Sequence, residues 1–500
     1  MSRPSSAHRS RRQLLFLALL TLHLAAASTI GAADYYWDAN GDGSGTGGAG
    51  AWTTNGRLWR LNGSTTALAR WRSVAQTSDR AVFAGTSGIV QVGSGIYAHD
   101  LLFATSGYTL SGNSITLSGV APTITVGGTS TSIATISAVL AGTNVNLVKN
   151  GSGVLALGAV NTFTGSLSIN AGTVRLAGAT DRDFINRDCA ITINGGTFDL
   201  GNFIEDTDTF TLNGGTITGG ASAGLGVITS SSSAATAFDM RAGKADVILS
   251  NPFSPWSGDA TAVGLTKTTS GIVTLTRANT YTGATRILAG TLVLDGSIAR
   301  QSAVTVAAGA TFAGTGTTNN AAVTVNGTIS PGAMSDTGVS QIGTLTTGAQ
   351  TWNGGGTYVW QIADAAGVAG GGWDLLQLGG SLTVGATATN PFTLELIGLG
   401  TNGASGTVAN FDGTQSYVWT LLTTSTISGL ASSNVVIDST LFTASNPISE
   451  GKFSLVQSGS SLNLVFTPVP EPATYALALG VGTLGFAAVR QWRRRREPDS

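Results

Sequence analysis

"VNLVKNGSGVLALGAVNTFTGSLSINAGTVRL", Val145 to Leu176, and "VGLTKTTSGIVTLTRANTYTGATRILAGTLVL", Val263 to Leu294, align without a gap at an offset of 118 residues. About half of the aligned positions are identical, among them Lys149 with Lys267, Gly153 with Gly271, Asn161-Thr162 with Asn279-Thr280, and Gly172-Thr173 with Gly290-Thr291. Shared low complexity does not hold such a register, so the two stretches are copies of one structural unit. Within each copy the apolar period is two. Leu155 and Leu157, Leu167 and Ile169, and Val174 and Leu176 fall on one face of their strands, while Ser168 and Arg175 fall on the other. Between the runs stand "NTFTG" and "NAGT", where Asn and Gly tolerate the left-handed backbone of a sharp corner. Strand, corner, strand, corner, with no helical run between, predicts the coils of a parallel β-solenoid with an interior ladder of Val, Ile, Leu and Thr. An antiparallel sandwich is the competing architecture, but its hairpins have no need of corners this regular.

The whole chain agrees with that local reading. Five hundred residues exceed the usual single core, which an elongated repeat array avoids because it grows without widening. Seventy glycines with only 10% charged residues suit strands and tight corners, and 42% hydrophobic residues argue against disorder. Nine of the 25 basic residues lie outside Asp34 to Val489, leaving a middle with a net charge of about −8, a poor nucleic-acid binder. Cys189 is the single cysteine, so no intramolecular disulfide and no multi-thiolate metal site is available.

Both ends read as addresses. Arg9, Arg11 and Arg12 precede the apolar run Leu14 to Ala27 and the small residues of "AAASTIGAA", the layout of a secretory signal peptide over residues 1–33. "SRRQLL", Ser10 to Leu15, leaves general secretion and twin-arginine export both open. At the other end, Ala473 to Val489 is an uncharged run that just suffices to cross a bilayer as a transmembrane helix. Arg490 and Arg493, Arg494, Arg495 and Arg496 follow, and such a cluster holds its side in the cytoplasm, placing the body outside.

These motifs carry two resemblances. Val469-Pro470-Glu471-Pro472-Ala473, then the short apolar run, then the arginines resemble a PEP-CTERM sorting signal over residues 469–496. The resemblance implies an exosortase-type processing enzyme as partner, a Gram-negative host that makes extracellular polysaccharide, and a helix that anchors at least transiently in the inner membrane. The body resembles the autotransporter-associated β-strand repeat (PATR): Lys149, Gly151, Gly153, Asn161 to Gly165 and Gly172-Thr173 match its pattern, as do Lys267, Gly271, Asn279 to Gly283 and Gly290 to Leu292. Thr269 departs from it where the first copy has Gly151, which puts that corner's geometry in question. Many proteins with these repeats end in a membrane β-barrel; a single helix is expected here instead, and with it no self-translocation.

The fold class expected is therefore all-β: a right-handed parallel β-helix or β-solenoid with a C-terminal β-domain, plus an N-terminal signal peptide and one C-terminal transmembrane helix. Its parts are a signal peptide (1–33), a Trp/Gly-rich N-terminal cap (34–84), the solenoid (85–349), a C-terminal β-domain (350–468) closed by a hairpin across "SGSS", and the sorting signal (469–496) with helix 473–489.

Candidate chemistry is sparse, and neither a catalytic residue nor a cofactor is expected. Asp38, Asn40 and Asp42 in "DANGDG" copy the opening of a calcium loop, but Ala49 stands where the closing bidentate acid belongs. Asp181, Asp183, Glu205, Asp206 and Asp208 could serve a polysaccharide-degrading β-helix if three or more converged in a groove; dispersal over corners would leave them as solubilising charge. His99 beside Asp100 suggests a dyad, yet neighbours on a strand face opposite sides. There is no "GxSxG" elbow, and "GDGSGTGGAG" lacks the lysine of a phosphate loop. Trp37, Trp52 and Trp59 could stack on sugar rings or cap the open end of the solenoid. The function expected is an exported cell-envelope or extracellular-matrix structural or adhesion protein; the alternative is a polysaccharide-binding or polysaccharide-degrading β-helix. Extracellular polysaccharide is thus a candidate partner in either case.

Overall fold

The repeats stack as parallel strands in the register their alignment implies. In this computed structural model the described residues are 32–41, 47–62, 64, 67–75, 77–179, 183–220, 226–230, 237–252, 262–332, 334, 341–469 and 490. Lys149 of Val145–Asn150 lies opposite Ile169 of Gly165–Ile169, and Lys267 of Leu265–Lys267 opposite Ile287 of Thr285–Ile287. Leu155 faces Val174 in the first copy, and Val273 faces Leu292 in the second. The two copies therefore occupy equivalent places in one stack. The apolar residues of period two, Leu155, Leu157, Leu167, Ile169, Val174 and Leu176, are all buried in it.

Two long ladders run the length of the body. The first rises from Asp34–Trp37 through Arg80–Phe83, Asp100–Phe103 and Thr123–Val126 to the first repeat copy, and continues to Ile427–Ser428. The second rises from Gly50–Trp52 through Ile89–Val92 and Thr109–Gly112 and ends at Val435–Asp438. Short parallel stacks supply a third side in three places: Ile96–Ala98 with Ile115–Leu117 and Leu140–Ala141, Ile204–Thr207 with Val227–Ser230 and Ile248–Ser250, and Thr344–Thr347 with Leu375–Leu378 and Tyr417–Thr423.

The boundary expected at 349/350 is no break in these ladders. Val323–Val325 pairs with Gln350–Trp352, which pairs with Leu382–Val384, and Thr328–Pro331 pairs with Thr357–Ile362, which pairs with Phe392–Gly398. What changes is the third side, where Tyr417–Thr423 takes up the antiparallel hairpin of Ser461–Thr467 and Lys452–Ser458.

Aromatic clusters close the two ends. Near the N-terminus, Trp37, Trp52, Trp59 and Trp71 are buried with ring centroids 5.0–5.1 Å apart, mostly edge to face, beneath the antiparallel strands Trp59–Leu61 and Leu68–Ala69. These indoles are core, which overturns their reading as a sugar-stacking surface. Near the other end Phe411, Phe442 and Phe466 pack with Trp419 beneath the hairpin and the short helix Thr440–Thr443.

The signal peptide (1–33) lies outside the described residues except for its last two positions, and so do Pro470 to Ala473, helix 473–489 and Arg493 to Arg496. Val469 and Arg490 are described and exposed. Among the described residues no helix is long and apolar enough to cross a membrane.

Candidate functional surface

The lysine and the asparagine of the repeat motif are turned inward, while Thr162 of the same motif is exposed. Lys149 shares its parity with Val145 and Leu147, and so enters the core, where it is fully buried. Its ammonium, with three N–H donors, lies within hydrogen-bond distance of four carbonyls, those of Asn150 and Gly151 (both 2.9 Å), Gly153 (3.0 Å) and Ala171 (3.1 Å). One cation thus satisfies the converging carbonyls of a corner and ties it to the next rung, since backbone acceptors shut away from water need donors. Burial lowers its pKa to about 8. Lys267 repeats the device with the carbonyls of Thr269 and Ala289, also lowered to about 8 by burial.

The asparagine of "NTFTG" and "NTYTG" is a second internal staple. Asn161 Oδ1 accepts the Leu140 N–H (2.9 Å), and its amide donates to Ala159 O (3.1 Å) and Phe184 O (2.8 Å). Asn279 makes the same three bonds, from Leu249 N and to Arg277 O and Ser297 O, at 3.0, 2.9 and 3.0 Å. Gly172 and Gly290 both sit at φ 65°, and a Cβ on either would lie 2.4 Å from a carbonyl of the preceding corner. Only glycine allows that approach. At the irregular corner Thr269 avoids the left-handed region that Gly151 occupies, and its hydroxyl donates to Arg241 O (2.7 Å).

Of the carboxylates considered for catalysis, Asp183, Glu205 and Asp206 lie near one another, the Asp183 N–H donating to Ile204 O (3.1 Å) beside Glu205. Glu205 is fully buried and accepts the N–H groups of Phe184 (3.0 Å) and Ile185 (2.9 Å). Burial raises its pKa well above the ordinary carboxyl value against those two bonds, with Asp183 and Asp206 adding to the rise. Asp206, its strand neighbour, takes the Thr229 hydroxyl, and Asp208 is exposed. Asp181 lies outside the described residues. A general acid needs contact with its polymer, and Glu205, sealed and engaged by backbone, has none.

His99 and Asp100 correct one expectation. His99 occupies the bend between Ile96–Ala98 and Asp100–Phe103 rather than a strand, so alternation does not separate the pair, and Nδ1 lies 2.9 Å from Asp100 Oδ1. The same oxygen accepts the Thr123 N–H (2.7 Å) and hydroxyl (2.8 Å), which makes Asp100 a link between rungs. Of the calcium candidates, Asp38 is buried with the Arg60 Nε 3.7 Å away, Asn40 is exposed, and Asp42 lies outside the described residues. Cys189 is buried, its thiol pushed up to about 12 by burial and aimed at Phe163 O (3.2 Å).

What the staples leave outside is a periodic hydroxyl surface. On the first ladder Thr305, Thr324, Thr351, Thr383 and Ser428 are register partners in unbroken succession. On the second, Thr291, Thr311, Thr328, Thr357 and Thr393 are. Stacked strands set such residues about 4.8 Å apart. Asn150, Asn170, Asn194 and Asn213 form a further outer ladder whose amides are joined at 2.9–3.1 Å. The register of the ladders aligns these side chains into rows.

Comparisons with known proteins agree with this geometry. The passenger-associated-transport-repeat model matches residues 147–176 and 265–294, and the PEP-CTERM protein-sorting motif matches residues 468–495. The chain is 43% identical over 160 residues to the adhesin BmaC autotransporter of Brucella suis biovar 1 (strain 1330), a stretch that covers 32% of this chain and 4% of that adhesin. The chain thus carries two passenger-associated transport repeats, stapled internally by Lys149, Asn161, Lys267 and Asn279, together with a PEP-CTERM protein-sorting motif.

Proposed function

We propose that this chain is an exported surface or extracellular-matrix protein of adhesion type that acts as a scaffold and not as an enzyme. One observation carries the reading: the repeat's lysines and corner asparagines are used up inside the stack, while long rows of threonine are turned outward. A rod with hydroxyl rows at a fixed pitch makes many weak contacts at once, and avidity converts these into attachment. The adhesin likeness supports an adhesive role, and the sorting motif supports export in a Gram-negative host. By the same reading an exosortase-type enzyme recognises Pro470, Glu471 and Pro472 while residues 473–489 hold the chain in the inner membrane, Arg490 and Arg493 to Arg496 staying inside. The surface reached is the cell envelope or the extracellular polysaccharide around it.

Two measurements test this. Mass spectrometry of the mature C-terminus from the native host is expected to find a new end beside Pro472, with the body recovered from the cell surface or matrix. Retention of Arg490 to Arg496 on the surface-exposed protein would defeat the sorting step. Turnover of acidic polysaccharides by the purified protein, lost in Asp208→Asn, would defeat the non-enzymatic reading.

A further inference from the structure

The two ends of the stack are finished differently. At the N-terminal end Asp34–Trp37 is covered by Trp59–Leu61, which pairs in turn with Leu68–Ala69. At the other end two strands keep a free edge among the described residues: Val435–Asp438 pairs only with Phe392–Gly398, and Lys452–Ser458 only with Ser461–Thr467. The third side also runs two strands further than the ladders, because the hairpin is added beyond Tyr417–Thr423. Between the last strand of that hairpin and Val435–Asp438 lies a groove of about 700 Å³, lined by Leu430, Val435, Ile437, Phe453 and Leu455, where the core comes to its end.

Free edges recruit strands, and these two lack the usual protection. Lys452–Ser458 carries one charge, at its first residue, with no proline and an unbroken register against its neighbour. Alternation turns Val435 and Ile437, like Phe453 and Leu455, toward the core, and Val436, Asp438, Lys452 and Ser454 toward solvent. On the outer face Asp438 is the register partner of Glu395, and no described lysine or arginine forms an ion pair with either carboxylate. Burial, and after it the Asp438 charge, raise the Glu395 pKa. This end of the stack therefore presents two open edges, an unfinished core and an acidic pair in want of a cation.

We propose that this end joins a second copy of the chain tail to tail about a two-fold axis, Lys452–Ser458 of each copy pairing antiparallel with Val435–Asp438 of the other. Parity and charge together choose the register. Asp438 faces the partner's Lys452, Ile437 the partner's Phe453, Val436 the partner's Ser454 and Val435 the partner's Leu455. Core-side residues thus meet core-side residues, and the acidic pair gains its cation. A slip of one residue would turn Phe453 to solvent, and a slip of two would set Asp438 against the partner's Ser454 or the partner's Glu450. Each hairpin occupies the strand places beyond the other copy's second ladder, so the contact is isologous and closes at two. The N-terminal end is a poorer match, since Gly50–Trp52 is a three-residue edge without a charge. A lipid chain would leave the backbone groups of both edges unpaired. A pair joined in this way points its threonine rows away from the joint in both directions, a form suited to bridging two surfaces.

The test uses the full-length chain in a mild detergent, prepared as two single variants, Val436→Cys and Ser454→Cys. Facing positions of an antiparallel pair lie about 4.5–5.5 Å apart between Cα atoms, within disulfide range. Mixed under oxidation, the two variants are expected to cross-link with each other and neither with itself, a pattern that association through residues 473–489 does not produce. Sedimentation is expected to give a dimer whose dissociation constant rises about tenfold in Asp438→Lys and in Lys452→Glu, both exposed changes, and returns to within about twofold when one chain carries both. A monomeric chain, self-linking of either cysteine variant in place of the mixed product, or charge reversals that have no effect or are not rescued by the double variant would overturn the proposal. The pairing serves the chain freed by the cleavage proposed above but is measured without it, so the sorting step and the dimer can fail separately.

Discussion

The two repeat copies share a register and differ at one corner. In the first, Gly151 takes φ 77° and lets four carbonyls converge on the buried Lys149 ammonium. In the second, Thr269 keeps an ordinary backbone, and Lys267 meets the carbonyls of Thr269 and Ala289, while the threonine hydroxyl ties the corner to Arg241 on the rung before. The electrostatic surroundings differ as well. Asp239 works against the burial that lowers Lys267, whereas burial alone acts on Lys149. The lesson is that the lysine is the constant part of the corner and the glycine an adjustable one.

The sharpest way to break this comparison is to remove the cations. Lys149→Met should lower local stability by about 4 kcal/mol and Lys267→Met by about 2 kcal/mol, because more orphaned carbonyls remain in the first copy. Since rungs of a repeat array open locally, native-state hydrogen exchange of the flanking strands is the measurement. Equal losses in the two copies would show that the additional carbonyl bonds carry no weight.

The asparagines give the matched control. Asn161→Ala and Asn279→Ala each remove three bonds of the same kind, so both should cost about 2 kcal/mol and differ little. A pH series sharpens the lysine comparison further. Folded Lys149 and Lys267 titrate at about 8, below an unfolded lysine. Between pH 8 and about 10 the unfolded chain therefore binds more protons than the folded one, and stability rises with pH across that window and is flat just below it. Lys149→Met should shrink the rise by its own share. The smallest effect is expected from Thr269→Gly, which loses one hydroxyl bond and gains chain entropy in the unfolded state, a cost of about 1 kcal/mol.

Much of this architecture is legible in the sequence because period-two burial and corner residues act locally. Val145, Leu147 and Lys149 have one parity, so even the inward course of the lysine was written in "VNLVKN"; its chemistry was masked by the habit of reading lysine as surface. The passage of the ladders through residue 350 was hidden because longer strands and returning tryptophans look like a new domain. His99 looked like a strand residue because nothing in "IYAHDLLF" marks the bend. The burial of Gln361 was beyond reach for a different reason: parity turns its side chain outward, yet it is only 4% exposed, which no local pattern records.

Amine labelling tests the central claim most directly. If the repeat lysines are internal staples, an acylating reagent at neutral pH will modify the exposed Lys244 and Lys452 and leave Lys149 and Lys267 untouched until the chain is unfolded, as read by peptide mass spectrometry. Modification of Lys149 in the folded protein as fast as that of Lys452 would contradict the account, for it would place the repeat's defining cation on the surface.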